Sequence, residues 1–163
     1  MSAILFIQSV VLYAWPLWAS NIALNLLFFA KKYDRQLDGG RLFSDGRPIL
    51  GSSVTWGGLA LSLVMALAMH LALPGHELVF WKVASGFIGH ALASFIKRRC
   101  GIAQGRYIPL LNHGDYIVAF AGISAAFGAF DGPLALAAYA VTILGTPLIT
   151  YWAYRFGMRS RPL

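Results

Sequence analysis

Five apolar stretches, each near the length of a membrane crossing, leave this chain few ways to fold. A hydrocarbon core of about 30 Å takes roughly 20 apolar residues in a helix. In lipid every backbone N–H and C=O must find a partner within the protein, which selects helices. The stretches cover about residues 3–30, 54–73, 78–96, 116–130 and 134–154. Lys31-Lys32 close the first, Pro74-Gly75 the second, Lys97-Arg98-Arg99 the third and Asp131-Gly132-Pro133 the fourth. The chain has 163 residues and is 58% hydrophobic and 12% charged, more apolar than a soluble domain of this size could hide. The expected architecture is all-α: a single transmembrane domain, 1–163, of about five helices in a polytopic integral membrane protein. Residues 3–30 are too long for the apolar core of a secretory signal and are expected to form the first span.

Charge sets the orientation. Of 13 Lys and Arg residues, all but Lys82 fall in 31–50, in 97–113 or in the tail after Tyr154. These are alternate connections, so they share a face, and the positive-inside rule makes that face cytoplasmic. The N-terminus is then outside, the C-terminus cytoplasmic, and the expected home is the inner cell membrane, crossed several times. Lys82, near the outer end of the third helix, would snorkel. A net charge of +7 would suggest nucleic acid in a soluble chain; here membrane lipid headgroups account for it, and no nucleic-acid-binding fold is recognisable. The single cysteine, Cys100, excludes an internal disulfide. Trp15, Trp18, Trp81 and Trp152 read as interfacial anchors, and Pro16 and Pro147 as kinks.

The polar residues gather in the cytoplasmic loops, 31–53 and 97–115. The first loop carries Asp38-Gly39-Gly40, Asp45-Gly46-Arg47 and Gly51, and leads into Thr55-Trp56-Gly57-Gly58. Its glycines permit close backbone approach to a ligand, with Asp45 facing a metal and Arg47 a phosphate; the same residues also suit an ordinary turn. On the third helix His90, Ser94 and Lys97 fall at i, i+4 and i+7 on one face, with Arg98 alongside. A hydroxyl and two cations there would cradle a phosphate, or the cluster would simply meet anionic headgroups. His90 sits about two turns inside the membrane, where an ionisable residue is a functional candidate. Asp115 opens the fourth helix, either as an N-terminal cap or as a ligand for Mg²⁺.

Taken in order, these segments resemble the CDP-archaeol synthase family of membrane cytidylyltransferases, related to the bacterial phosphatidate cytidylyltransferases. Asn21, Leu37-Asp38-Gly39, Asp45-Gly46-Arg47, Leu50-Gly51, Thr55-Trp56 and Gly58 carry the likeness. So do Gly89, Ser94-Phe95-Ile96-Lys97-Arg98-Arg99, Pro109-Leu110-Leu111 and Asp115. The resemblance implies that a lipid phosphate attacks the α-phosphorus of CTP, pyrophosphate leaves, and a CDP-activated lipid forms. It assigns Arg47, Lys97 and Arg98 to triphosphate or lipid phosphate and Ser94 to a phosphate contact. Asp45 and Asp115 become ligands of Mg²⁺ (or Mn²⁺), with His90 a further metal candidate. Asn21, Asp38, Gly51, Thr55, Trp56 and Arg99 fall to substrate binding.

The chain departs from the family pattern at four positions. Val54 and Gly57 stand where relatives carry cations, and His90 and Asn112 where they carry aspartates. Loss of such charges typically costs a hundredfold or more in rate. Two readings therefore stand side by side. One is an active enzyme using CTP and a lipid phosphate. The other is a relative without catalysis, serving as a lipid-binding or accessory subunit of a larger membrane complex or as a homo-oligomer; the Gly- and Ala-rich helices four and five would favour such contacts. A transporter fits less well, since five helices are an awkward number for inverted repeats.

Overall fold

The computed structural model describes residues 2–28, 35–104, 106 and 108–156. Among the described residues six helices follow one another: α1 (Ala3–Phe28), α2 (Trp56–Ala72), α3 (Val79–Arg99), α4 (Pro109–His113), α5 (Asp115–Ala126) and α6 (Gly132–Arg155). The described residues contain no strand, only two isolated bridges, Gln36 with Thr55 and Leu42 with Pro48. The protein is thus all-α, as its hydropathy demands. The expected end of helix one at Ala30, the cations Lys31 and Lys32, and Arg159 and Arg161 of the tail lie outside the described residues.

Among the described residues three helices, α1, α3 and α6, are long and apolar enough to cross a membrane, while α2 and α5 are shorter apolar helices. The short α4 inside the second polar loop has no counterpart among the sequence-based expectations. Helix α3 runs to Arg99, through the basic run that was expected to follow it, because Lys and Arg are good helix formers and cations suit a helix C-terminus. Helix α5 ends at Ala126, short of the expected Phe130. Gly128 adopts φ 67° there, with Ala129 N–H bonding Ser124 C=O (2.8 Å) and Gly128 N–H bonding Ala125 C=O (3.0 Å), a Schellman stop. Helix α6 opens on an Asp131 cap, whose carboxylate accepts from Leu134 N–H at 3.0 Å.

Helix α3 is the hub. Half of its span is buried inside the protein, against 28% for α1 and 17% for α6. It packs on α2 through Ala66, Val83 and Ala84. The larger core joins Val10, Tyr13, Ala14 and Leu17 of α1 to Tyr116, Ile117 and Phe120 of α5 and Ala135 and Ala138 of α6. Large apolar side chains such as Ile4, Leu136, Leu144 and Ile149 point outward, as they must when lipid is the solvent. A polar knot crosses the core. Trp18 Nε1 donates to Thr142 Oγ1 (2.9 Å), Thr142 donates to Ala138 C=O (2.8 Å), and the Tyr116 hydroxyl bonds both Thr142 and Asn21. Trp18, expected at an interface, therefore ties α1 to α6.

Candidate functional site

The first polar loop folds onto the C-terminal end of α3. Two carboxylates and two guanidinium groups do most of the work. Asp38 accepts from Gly40 N–H (2.9 Å), Leu50 N–H (2.8 Å) and Gly51 N–H (3.3 Å), drawing the two ends of the loop together. Gly51 sits at φ 98°, where a side chain would be strained. Partial desolvation pushes the Asp38 carboxyl up, but the amides of Leu50, Gly40 and Gly51 prevail and hold it below the usual carboxylate range. Between these ends, residues 41–49 form a tight reversal, with Phe43 N–H bonding Arg47 C=O (2.8 Å) and Ile49 N–H bonding Arg41 C=O (3.1 Å).

The tip of that reversal caps α3. Arg47 Nη1 donates to the carbonyls of Arg99 (2.7 Å) and Arg98 (3.4 Å). The remaining end carbonyls are met locally: Ile96 by Cys100 N–H, Lys97 by Ile102 N–H, and Arg98 again by Gly101 N–H. Gly101, at φ 71°, lies under the Arg47 guanidinium, which a Cβ there would meet at 3.2 Å. Arg99 returns the contact, pairing Nη1 with Asp45 Oδ1 and Nη2 with Pro48 C=O, both at 2.5 Å. Its guanidinium lies over Phe43 (4.6 Å) and Phe95 (5.2 Å). Slight desolvation of Asp45 is outweighed by the Arg47 amide and the Arg99 charge, so its carboxyl also lies below its ordinary value. His90 adds a tie from deeper in α3: its Nε2 lies 3.3 Å from the Ser53 carbonyl, which can only accept, so Nε2 carries the proton. Gln104 Nε2 bonds Ser52 Oγ and joins the two polar loops.

A second group forms where α3 meets the start of α5. Gly89 permits the contact: a Cβ there would lie 2.5 Å from the Asp115 backbone and 2.6 Å from Tyr116 Cα. This brings Asp115 against α3 on the side of Lys97. Lys97 is only 9% exposed despite its charge. Its ammonium donates to Asn112 Oδ1 (3.3 Å) and is drawn electrostatically to Asp115. Asn112 Oδ1 also accepts from Ile108 N–H (3.2 Å), so the same amide anchors the start of α4. Asp115 Oδ1 accepts from Tyr116 N–H at 2.8 Å. Ser94 is buried one turn before Lys97, and Arg98 lies half-buried next to it.

The residues singled out from sequence thus divide. Lys97 and Asp115 meet at the α3–α5 corner, with Ser94 one turn before Lys97 and Arg98 next to it on α3. Asp38, Asp45, Arg47, Gly51 and Arg99 build the clasp over the end of α3, and Asn21 belongs to the core knot. Thr55 caps α2, its hydroxyl accepting from Gly58 N–H at 3.1 Å. Trp56, 57% exposed, lines an open groove of about 720 Å³ with Arg35, Asp38, Arg41 and Ile49. Val54, one of the departures, is fully buried beneath the loop, where a cation would have no solvent. Asn112 and Gly89 were not read as site residues. From sequence Asn112 figures only as a missing charge, while a glycine in the middle of an apolar helix is a usable signal of close packing.

Among the described residues no three His, Cys, Asp or Glu side chains converge as a metal site. Asp38 and Asp45 are engaged within the clasp, and Asp115 is the carboxylate of the corner. One carboxylate fits Mg²⁺ that arrives on a triphosphate, since this ion keeps waters and phosphate oxygens as most of its ligands. It does not fit a preformed protein cage.

Comparison with known proteins bears on this geometry. Residues 2–163 match the CarS-like family, described as CDP-archaeol synthase. A CDP-archaeol synthase from Hyperthermus butylicus is 38% identical over 109 residues, covering 62% of this chain and 62% of that protein. The one from Methanopyrus kandleri is 37% identical over 94 residues and is matched over 53% of its own length, so these alignments span just over half of the relatives. The protein from Aeropyrum pernix is 32% identical over 140 residues, 78% of each chain. A solved structure, presented as structural insight into an intramembrane enzyme for archaeal membrane lipids biosynthesis, is similar with a TM-score of 0.65 at 28% identity, over 85% of this chain and 93% of the other.

Proposed function

The chain belongs to the CDP-archaeol synthase family, and from that premise we propose that it transfers a cytidylyl group from CTP to a phosphorylated lipid at the cytoplasmic membrane boundary. In this reading α1, α2, α3, α5 and α6 cross the inner cell membrane, with the N-terminus outside and the clasp and corner facing the cytoplasm. The observation that carries the proposal is the corner itself. A buried ammonium and a carboxylate stand at the polar end of an apolar bundle, where CTP arrives from water and a lipid phosphate from the side.

A lipid phosphate oxygen attacks the α-phosphorus of CTP, the bond from that phosphorus to the bridging oxygen breaks, and pyrophosphate carries the electron pair away. Lys97, held by Asn112, presents a cation to the transferring phosphoryl group. It does so from a water-poor site where its charge counts for more than in solvent. Arg98 and Ser94 supply further donors to phosphate oxygens. Asp115 would hold Mg²⁺ with the phosphates. The ion, when bound, neutralises triphosphate charge and eases departure of pyrophosphate. Arg47, Asp45 and Arg99 act by positioning: they fix the end of α3 on which Lys97 and Arg98 ride.

One observation favours the second reading, a scaffold without catalysis. Several charges expected to touch substrate are already paired inside the protein, Asp45 with Arg99 above all. Labelled CTP, Mg²⁺ and a mixture of phosphatidic acid and isoprenoid-ether phosphatidic acid, incubated with the purified chain, separate the two. Label moving into lipid, and reduced at least a hundredfold by Lys97→Ala, supports the enzyme. No transfer, together with no CTP binding at millimolar concentration, sinks it and leaves the scaffold.

A further inference from the structure

The backbone that carries Asp115 is pinned from three sides. Toward α3, Gly89 lets the Asp115 backbone and Tyr116 Cα approach closer than any Cβ would permit. Toward α6, Gly114 lies so near the Tyr139 ring that a Cβ would overlap it. The third tie is the Tyr116 side chain. Tyr116 is 2% exposed and shares the main core with Leu17 and Ala138. One turn further on, Phe120 fills the same core without a hydroxyl, so packing alone does not call for one at Tyr116. A buried hydroxyl is costly unless it is met, and this one is met by two other helices. Thr142 spends its only hydroxyl proton on Ala138 C=O (2.8 Å) and accepts from Trp18 Nε1 (2.9 Å). Its second lone pair takes the Tyr116 O–H, which leaves the phenolic oxygen to accept from the Asn21 amide. Tyr116 in turn holds the carboxylate, its backbone N–H donating to Asp115 Oδ1 at 2.8 Å. Hydrogen bonds and one residue's covalent frame therefore run from α1 and α6 to Asp115.

We propose that Asn21 and Thr142 are positioning residues for Asp115: by fixing the Tyr116 hydroxyl, they set where the first turn of α5 holds the Asp115 carboxylate. The effect on rate rests on the cytidylyl-transfer reading, whereas the placement of the carboxylate does not. Asn21 thereby acts through Tyr116, a use different from the substrate contact that the family resemblance implies. The same network explains why a polar knot is kept in the middle of an apolar bundle: fully met, it fixes one arrangement of three helices at the point where the corner begins.

Cytidylyl transfer and the α5 amides test this in the full chain, purified in detergent and labelled with ¹⁵N at Tyr and Val. Thr142→Val keeps the side-chain shape and removes the hydroxyl, and Tyr116→Phe removes the other half of that bond. Both are expected to lower kcat about tenfold, part of the hundredfold that a misplacement of about 1 Å can cost. The Mg²⁺ concentration for half-maximal rate should rise several-fold, with KM for CTP within twofold, and Thr142→Ser should recover most of the loss. In Thr142→Val the Tyr116 amide proton, loosened from Asp115 Oδ1, should move upfield, while that of Val118, bonded to Gly114 C=O (3.0 Å), stays in place. A Tyr116 amide that does not move, or that moves together with Val118, overturns the proposal and leaves the knot a fastener of the core. Unchanged kcat in both variants of an active chain overturns it as well. If the unmodified chain transfers no cytidylyl group, the functional reading fails and the amide result alone decides the placement. If Thr142→Val does not fold, the same amide comparison in Asn21→Ala decides it.

Discussion

Gly89→Ala places the smallest available side chain at the closest approach of two helices. The added Cβ would lie 2.5 Å from the Asp115 carbonyl carbon and oxygen and 2.6 Å from Tyr116 Cα. Ordinary contact begins near 3.5 Å, so the start of α5 must retreat from α3 by about 1 Å. No flexible side-chain tip is available to absorb the movement, because all three atoms are backbone. Overpacking of this kind costs about 1–3 kcal/mol, while Ala in place of Gly inside a helix returns up to about 1 kcal/mol. Stability therefore falls by only about 1–2 kcal/mol, and the chain still folds. Activity is the sharper readout. Asp115 moves with the backbone that is pushed, and a misplacement of about 1 Å in a reacting constellation can cost about a hundredfold. Gly122→Ala makes the same change on α5, with nothing within 4 Å of its Cβ, and serves as the control. Cytidylyl transfer measured in both variants should drop about a hundredfold for Gly89→Ala and stay within twofold for Gly122→Ala. Equal activity in the two variants would refute the idea that the glycine contact sets the position of Asp115.

The remaining predictions concern the clasp. Arg47→Ala strips the side-chain cap from the last carbonyls of α3, an interaction worth about 1 kcal/mol at an exposed helix end; amide exchange at Gly101 and Ile102 should speed up several-fold, and unchanged exchange would deny Arg47 this role. Arg47→Lys should recover only part of the protection, since a single ammonium cannot straddle two carbonyls as a planar guanidinium does. Acid should loosen the loop for a reason whose sign is fixed. Asp38 and Asp45 have folded-state carboxyl pKa values below their ordinary one, so their stabilisation is complete above that ordinary value and is lost as pH falls through the lowered one. The Trp56 emission, taken as the difference from Trp56→Phe, should be flat from about pH 5 to 8 and change in strongly acidic solution; a transition near neutrality would contradict the assignment.

Hydropathy made the all-α membrane fold legible, because lipid admits almost no other backbone arrangement at such lengths. The ordered motifs made the family legible. What could not be read was which charges face a substrate and which face each other. Asp45-Gly46-Arg47 looks the same on the page whether its side chains meet a nucleotide or the end of a helix. Only the fold shows Arg99, 52 positions after Arg47, returning to the backbone of that turn. Asn112 is the converse case: judged by charge alone it is a loss, yet its amide oxygen receives both Lys97 and Ile108 N–H. Hydrogen-bond capacity survives an Asp-to-Asn difference where charge does not, and sequence comparison weighs the two alike.

The clasp also gives a physical meaning to two of the four departures. A carboxylate at the His90 position would face the Ser53 carbonyl and repel it, whereas a protonated ring nitrogen donates to it. A cation at the Val54 position would be buried without solvent, whereas valine fills the space. These residues tie the loop to α3 through a hydrogen bond and a filled apolar space. Of the departures, His90 and Val54 lie under the loop, while Asn112 lies in the corner, where its amide oxygen keeps the acceptor that holds Lys97. His90 and Asn112 each make a hydrogen bond within this chain that an aspartate would alter. This makes a double substitution informative. Aspartate at both His90 and Asn112 should give Lys97 a charged partner in place of a neutral one, open the Ser53 tether and lower cytidylyl transfer instead of raising it. A gain in rate would mean that the departures are losses after all, and that the clasp seen here closes over a site it should leave open.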